Sequence, residues 1–351
     1  MLVTSAVAAN YQARLMFAGT HFWGHAEFFV GIPVYSSSEN FISSAETGLK
    51  IFPWKLKHKR LSPFVGASWF PYEYKQEGGP SLVKSDFPIL GGLSYTYKNH
   101  QLELQAGALI NRTHDYYISR TEIARIQIPS HWFTIGYKYI LDTTISAEKN
   151  WENGKVQAYA KNQGKKLNGF TVSAGPSSAT FLRPSSYIEN EVPFVQQHKF
   201  SDLFFDFGVG YYLHNPDIHI GLAYRNISKK IDAYDYEQSV QRRSIGIEAY
   251  KFIADYHGFV PYLGIILSYE NLNMKDSDNE IILNESTHNT LKPGLVFGWD
   301  IRPNRIQSFI LRTNLRYAPN LNLSVKEGMN INFDQLEFNF IQLVIFPGRM
   351  F

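Results

Sequence analysis

Apolar and polar side chains alternate along most of this chain, the period of strands whose two faces meet different surroundings. In LFFDFGVGYYLH, Leu203, Phe205, Phe207, Val209, Tyr211 and Leu213 are apolar, while Asp206, Gly208, Gly210 and His214 fill the positions between. DIHIGLAYRN follows across Asn215-Pro216 and sets Ile218, Ile220, Leu222 and Tyr224 against Asp217, His219, Gly221 and Arg225. The same grammar returns in QLELQAGALIN, LKPGLVFGWDI and FILRTNLRY, and in segments 25–34, 46–54, 62–70, 87–97, 132–141, 243–252 and 260–270. VQAYAKN or GFTVSAG supplies one further strand within 143–201, and no segment reads as a convincing helix.

Short connections (54 to 62, 97 to 101, 213 to 217, 252 to 260, 301 to 306) alternate with long polar ones (35–44, 71–86, 112–130, 176–201, 226–242, 271–290, 318–332). That parity predicts an all-β, antiparallel up-and-down transmembrane barrel of about fourteen strands, within a span of about twelve to sixteen, with long loops on one rim. The barrel is expected over 24–346, with both termini on the short-turn rim. The last strand should close on HAEFFVGIPV, because a barrel leaves no free edge. Residues 1–23 then extend the first strand or form a small plug, and 347–351 make a periplasmic tail.

Strands of about ten residues tilted by about 45° span a bilayer. A soluble sandwich would show shorter strands and an exposed face rich in Lys, Glu and Thr; here the polar face is Gly, Ser, Asn and sparse charge. Aromatics make up 15% of residues, with 22 Tyr and 26 Phe. They gather at strand ends, where Trp54, Trp69, Tyr97, Tyr139, Trp299 and Tyr317 suit a membrane–water interface. A net charge of +3, with bases scattered among acids, excludes a nucleic-acid binder. Zero cysteines exclude disulfide frameworks, thiol nucleophiles and Cys-based zinc sites. No run of about 18 apolar residues marks a spanning helix. Ala6-Val7-Ala8 has the form that precedes signal-peptidase cleavage, yet lacks the charged and apolar regions before it, so it reads equally as an ordinary first segment.

The Tyr/Phe-rich strands, the Gly-x-Gly punctuation in GVGYY and PYLGIILSYE, and the aromatic C-terminal strand resemble bacterial outer-membrane β-barrel proteins. The Asn, Lys and Tyr usage is similar to that of Bacteroidota. The resemblance implies integral residence in the bacterial outer membrane, contact with its lipid and lipopolysaccharide, and assembly by the barrel-assembly machinery. It also implies a C-terminal assembly signal carried by Phe338, Phe340, Val344, Phe346 and Phe351, although Pro347 and Arg349 interrupt the pattern counted back from Phe351.

The alternation places a charged ladder in the lumen. Arg312 and Arg316 lie on a strand flanked by those bearing Asp300 and Glu337, with Asp206 and His219 nearby. Such charges pair across strands or line an aqueous path, and Phe52, Trp132, Phe204 and Tyr212 face inward to crowd it. The pairs His21/His25 and His214/His219 lack a third ligand for a metal, and no cofactor motif occurs. NRTHDYYIS offers His114, Asp115 and Ser119 to a rim hydrolase. KLKHKR is the one basic run, a short-rim turn that reads first as solvated and otherwise as a contact for anionic lipid or a partner protein. Apolar residues in long loops, Ile123, Ile126, Ile128, Ile281, Ile282 and Leu283, suit packing over the barrel mouth or against a protein partner. The sequence therefore favours a non-enzymatic structural or accessory subunit of a secretion, uptake or surface-display complex. The alternative is a porin-like channel for small solutes, and a rim hydrolase is the minority reading.

Overall fold

The computed structural model describes residues 12–21, 24–37, 41–43, 45–75, 79–110, 113–128, 130–139, 167–196, 199–255, 259–302 and 308–350. The described strands divide between two units. In the first, β1 (Gln12–His21), β2 (Ala26–Ser36), β3 (Phe41–Ser43), β4 (Glu46–Ile51), β5 (Arg60–Tyr74), β6 (Leu82–Asp86), β7 (Ile89–Tyr97) and β8 (His100–Ala108) lead to the hairpin β9 (Thr113–Tyr117) and β10 (Ile123–Gln127) and then β11 (His131–Tyr139). The sheet order is β1-β2-β4-β5-β7-β8-β11, and β3 and β6 pair with the far end of β5. One face buries Glu27, Lys50, Ser68 and Glu103, whereas the other exposes Val65, Ile89, Leu104, Phe133 and Ile135. A soluble sheet would do the reverse.

The second unit is a closed antiparallel barrel. Its strands are β12 (Gly169–Phe181), β13 (Phe204–Leu213), β14 (Ile218–Ala233), β15 (Tyr236–Phe252), β16 (Phe259–Asp278), β17 (Ile281–Ile301) and β18 (Phe309–Ala318). A small hairpin, β19 (Asn322–Lys326) and β20 (Met329–Asn332), precedes the closing strand β21 (Gln335–Ile345). The circuit is β12-β13-β14-β15-β16-β17-β18-β21, with β21 bonded to β18 on one side and β12 on the other. A strand has two edges, and both edges of β21 are taken. The expected closure of the C-terminal strand on HAEFFVGIPV therefore does not occur, and the closed circuit has eight strands rather than about fourteen.

Two expected loops are strand. The polar stretches 226–242 and 271–290 continue β14–β15 and β16–β17 to two-residue turns, in which Tyr234, Asp235, Asn279 and Glu280 all take φ between 48° and 67°. That double left-handed geometry matches the twist of a hairpin. Side chains become polar on the outer face there, which erased the contrast from which strands were read.

The connection after β12 holds a short helix, α1 (Ser186–Glu191), where none was expected. The hydroxyls of Ser185 and Ser186 accept the backbone N–H of Asn332 and Asn330, each at 2.9 Å, and so tie α1 to β20. Tyr187 on α1 donates to Asp276, to which Tyr236 also donates at 2.8 Å. Burial first, and then the Asp276 contact, push the Tyr187 phenol up, so it remains a donor at neutral pH. Leu321, Leu323, Ile331 and Phe333 are buried in and beside the hairpin.

On β21 the parity breaks once. Arg312 pairs with Gln342 but Asn314 with Asn339, so β21 carries one extra residue between them. This bulge puts Gln335, Glu337 and Asn339 inside and then Phe340, Gln342, Val344 and Phe346 inside too. Strict alternation from Leu336 and Phe338 would put Phe340 outside; instead Ile341, Leu343 and Ile345 alternate on the outer face, where Leu343 is 42% exposed.

Candidate functional site

The barrel interior gathers the charge. Arg312 makes a two-pronged bond to Asp300, Nε to Oδ1 at 2.7 Å and Nη2 to Oδ2 at 3.0 Å, and donates to the Tyr250 hydroxyl. Arg316 holds Glu248 through Nε (2.5 Å) and Nη2 (3.2 Å) and reaches Asp206 with Nη1. Arg225 bridges Glu248 and Glu337 at 3.4 and 3.3 Å. Arg242 binds Glu337 at 2.8 Å and grips Glu270 with two bonds of 2.8 and 2.9 Å. A continuous line Glu270–Arg242–Glu337–Arg225–Glu248–Arg316–Asp206 results, with Arg312–Asp300 beside it. Each of these side chains is at least nine-tenths buried. An unpaired charge at such a depth costs several kcal/mol, so mutual neutralisation is the condition for their presence.

All six residues of the lumen ladder, Arg312, Arg316, Asp300, Glu337, Asp206 and His219, lie inside this barrel. His219 stands apart from the ion pairs: its Nε2 is 2.8 Å from Thr171 Oγ1 and its ring stacks on Tyr250 at 4.8 Å. Sequence reasoning missed Arg242, Glu248 and Glu270, which sit on the inward parity of β15 and β16. It placed Arg225 on the polar face without assigning it a partner. Next to the network, Tyr212, Tyr250, Phe252, Val260, Tyr262, Val296, Ile310, Val344 and Phe346 pack as one apolar cluster. The glycines make room for it: a Cβ on Gly298 would meet the Tyr262 hydroxyl at 2.5 Å.

At the short-turn end a cavity of about 430 Å³ is lined by residues including Tyr212, His219, Arg302, Arg312, Phe346 and Arg349. The segment Pro347–Arg349 is a 3-10 turn, and Arg349 is buried with its guanidinium 3.6 Å from the Phe346 ring centroid and Nη2 donating to Leu167 O at 2.5 Å. The tail expected at 347–351 thus folds back over the barrel mouth as far as it is described.

Among the assembly-signal residues, Phe338 faces outward, Phe340, Val344 and Phe346 face inward, and Phe351 lies outside the described residues. Trp54, Tyr97 and Tyr139 are exposed, while Trp69, Trp299 and Tyr317 are half-buried on outward-facing positions. His114, Asp115 and Ser119 do not converge. His114 Nε2 meets the Tyr72 hydroxyl at 2.7 Å, Asp115 accepts Arg125 at 2.9 Å, and Ser119 Oγ caps a turn by accepting the N–H of Glu122 at 3.0 Å. His25 Nδ1 contacts Phe52 O at 2.9 Å, and the His21 side chain lies outside what is described. Ile126 and Ile128 are buried within the first unit, whereas Ile123, Ile281, Ile282 and Leu283 are exposed.

The second unit is an antiparallel β-barrel with paired charges inside and apolar side chains outside. No protein-family model and no curated protein matches the chain. Among solved structures, Neisserial surface protein A is similar at 16% identity, covering 50% of this chain and 96% of its own, with a TM-score of 0.33. Ail, the attachment invasion locus protein of Yersinia pestis, is similar at 12% identity, covering 51% and 97%, with a TM-score of 0.31.

Proposed function

We propose that the chain is an integral outer-membrane β-barrel protein that serves as a non-enzymatic accessory subunit, its barrel anchoring rather than conducting. The observation that carries this reading is the inversion of polarity in the closed barrel. On β16 the outward residues Phe259, Pro261, Leu263, Ile265, Leu267 and Tyr269 are apolar, and Asn271, Asn273 and Lys275 beyond them are polar. The boundary is level across strands, since Tyr269 pairs with Ile245 and Leu291, and Asn271 with Arg243 and Asn289. Eleven residues from Phe259 to Tyr269, at about 3.3 Å each and tilted by about 45°, rise about 25 Å, the height of the apolar band of outer-membrane barrels.

An eight-stranded barrel is just wide enough for its side chains to fill, and ion pairs and aromatic rings fill this one. Above the band β15–β17 continue into a polar extension, closed from inside by α1 and the β19–β20 hairpin and ending in exposed Ile281, Ile282 and Leu283. These hairpin ends are the natural contact surfaces for protein partners, lipopolysaccharide would surround the outer half of the band, and the barrel-assembly machinery would insert it. The porin-like alternative rests on the 430 Å³ cavity at the short-turn end.

Planar-bilayer recording on the purified protein decides between them. The expected outcome is no stable conductance, in the native chain or in Arg312→Ala/Arg316→Ala. Ohmic steps in the native chain that change size in the double variant would overturn the anchoring reading.

A further inference from the structure

The basic run KLKHKR is left unused by the ion-pair networks. It forms the β4–β5 connection, and the β7–β8 turn Lys98-Asn99 lies against it. Lys59 N donates to Thr96 O at 2.7 Å, and Lys98 N donates to His58 Nδ1, also at 2.7 Å. Lys55, Lys57, Lys59, Arg60 and Lys98 are all exposed, and no Asp or Glu occurs in residues 52–60 or 98–99. Like charges this close repel unless an anion joins them.

Two further features point to a selected site. Lys59 and Lys98 hold φ of 55° and 52°, left-handed positions that Gly or Asn would occupy with less strain. Their ammonium groups lie 5.9 and 5.7 Å from the centroid of one ring, Tyr97, and the Arg60 guanidinium lies 5.9 Å from that of Trp54. Trp54 and Tyr97 are 53% and 43% exposed, next to the exposed apolar Leu61, Val65 and Tyr95 of the same sheet face. Cations set immediately beyond interfacial aromatics stand at headgroup level. The short turns of the second unit mix signs instead, with Asp217 and Asp255 accompanying Lys251 and Arg302.

We infer that this end of the first sheet binds the phosphodiester headgroups of anionic phospholipid, through Lys55, Lys57, Lys59, Arg60 and Lys98. The inference rests on the outer-membrane reading and places these turns at the phospholipid leaflet, on the side of the short turns.

The full chain is reconstituted in nanodiscs of phosphatidylcholine with or without phosphatidylglycerol, and the lipid retained after mild detergent extraction is counted by native mass spectrometry. Phosphatidylglycerol should be retained about tenfold over phosphatidylcholine, with salt weakening the preference. Excess inorganic phosphate should not abolish it. The variant K55Q/K57Q/K59Q/R60Q/K98Q should lose it. K59G/K98G, which relaxes both backbone positions and so keeps the fold, should lower it severalfold. Equal retention of the two lipids by the native chain, an undiminished preference in either variant, or displacement by inorganic phosphate alone would overturn the inference. Failure to insert into either nanodisc would instead overturn the outer-membrane reading, whereas insertion without selectivity would leave that reading standing.

Discussion

Arg316 shows what holds the barrel interior together. Its guanidinium serves Glu248, Asp206 and Asn314 at once from a buried position. Arg316→Met would strip Asp206 of its ion-pair partner and leave Glu248 with only the longer Arg225 contact of 3.4 Å, and breaking a buried pair from one side costs about 3–5 kcal/mol. The midpoint of urea unfolding, read from the heat-modifiable gel band in detergent, should fall accordingly, and Arg316→Met combined with Asp206→Asn and Glu248→Gln should recover part of the loss. By contrast Arg125, whose partner Asp115 is also exposed, should tolerate Ala within about 0.5 kcal/mol. An unchanged midpoint in Arg316→Met would mean that the network is ornamental. The inward placement of Arg312, Arg316, Asp300 and Glu337 was legible because period two assigns each residue a face. Their long-range partners were not. A lumen of about fourteen strands holds opposite walls apart, and only a narrow barrel lets Arg242 on β15 touch Glu337 on β21, or Arg316 on β18 touch Asp206 on β13. The missed residues follow from the missed circumference.

At the scale of an element, β21 answers to its bulge. With one extra residue between Asn339 and Gln342, the strand keeps Gln342, Val344 and Phe346 inside and Leu343 and Ile345 outside. Removing Ile341 would restore a regular ladder in which Asn339, Gln342, Val344 and Phe346 still point inward and only Phe340 turns out. Removing Leu343 offers no such solution, because either the bulge stays and Val344 and Phe346 are turned out, or it goes and Gln342 faces the apolar band. The deletion of Ile341 should therefore leave most of the protein folded, and that of Leu343 should not, with the fraction of heat-modifiable band as the measure. Equal tolerance would show that the parity of this strand is unimportant. A bulge carries no mark in a run such as FIQLVIF, where inner and outer positions are both apolar. The extended hairpins β14–β15 and β16–β17 were hidden for the complementary reason, since their outer positions are polar.

For the whole molecule, the question is where closure lies. The sequence expectation of one barrel over 24–346 came from alternating turn lengths, and that alternation is insensitive to which strand meets which: two successive antiparallel units continue it across their junction. What decides the matter is the pairing of β21, whose partners β12 and β18 lie within residues 169–318. With that seam, every charged residue of the interior network and every strand of the circuit is encoded after residue 166. A chain of residues 167–351 carries all of them, including Leu167, whose carbonyl receives Arg349. Refolded in detergent, this fragment should give a heat-modifiable, protease-resistant species with the β-sheet circular dichroism of a barrel. Its urea midpoint should fall on Arg316→Met in parallel with that of the full chain. A single barrel closed through β2 predicts otherwise, because the fragment would then retain two open edges, and lipid-exposed edges are not tolerated in a hydrocarbon layer. Such a fragment would aggregate or stay unfolded, and that outcome would return the closure to the first half of the chain.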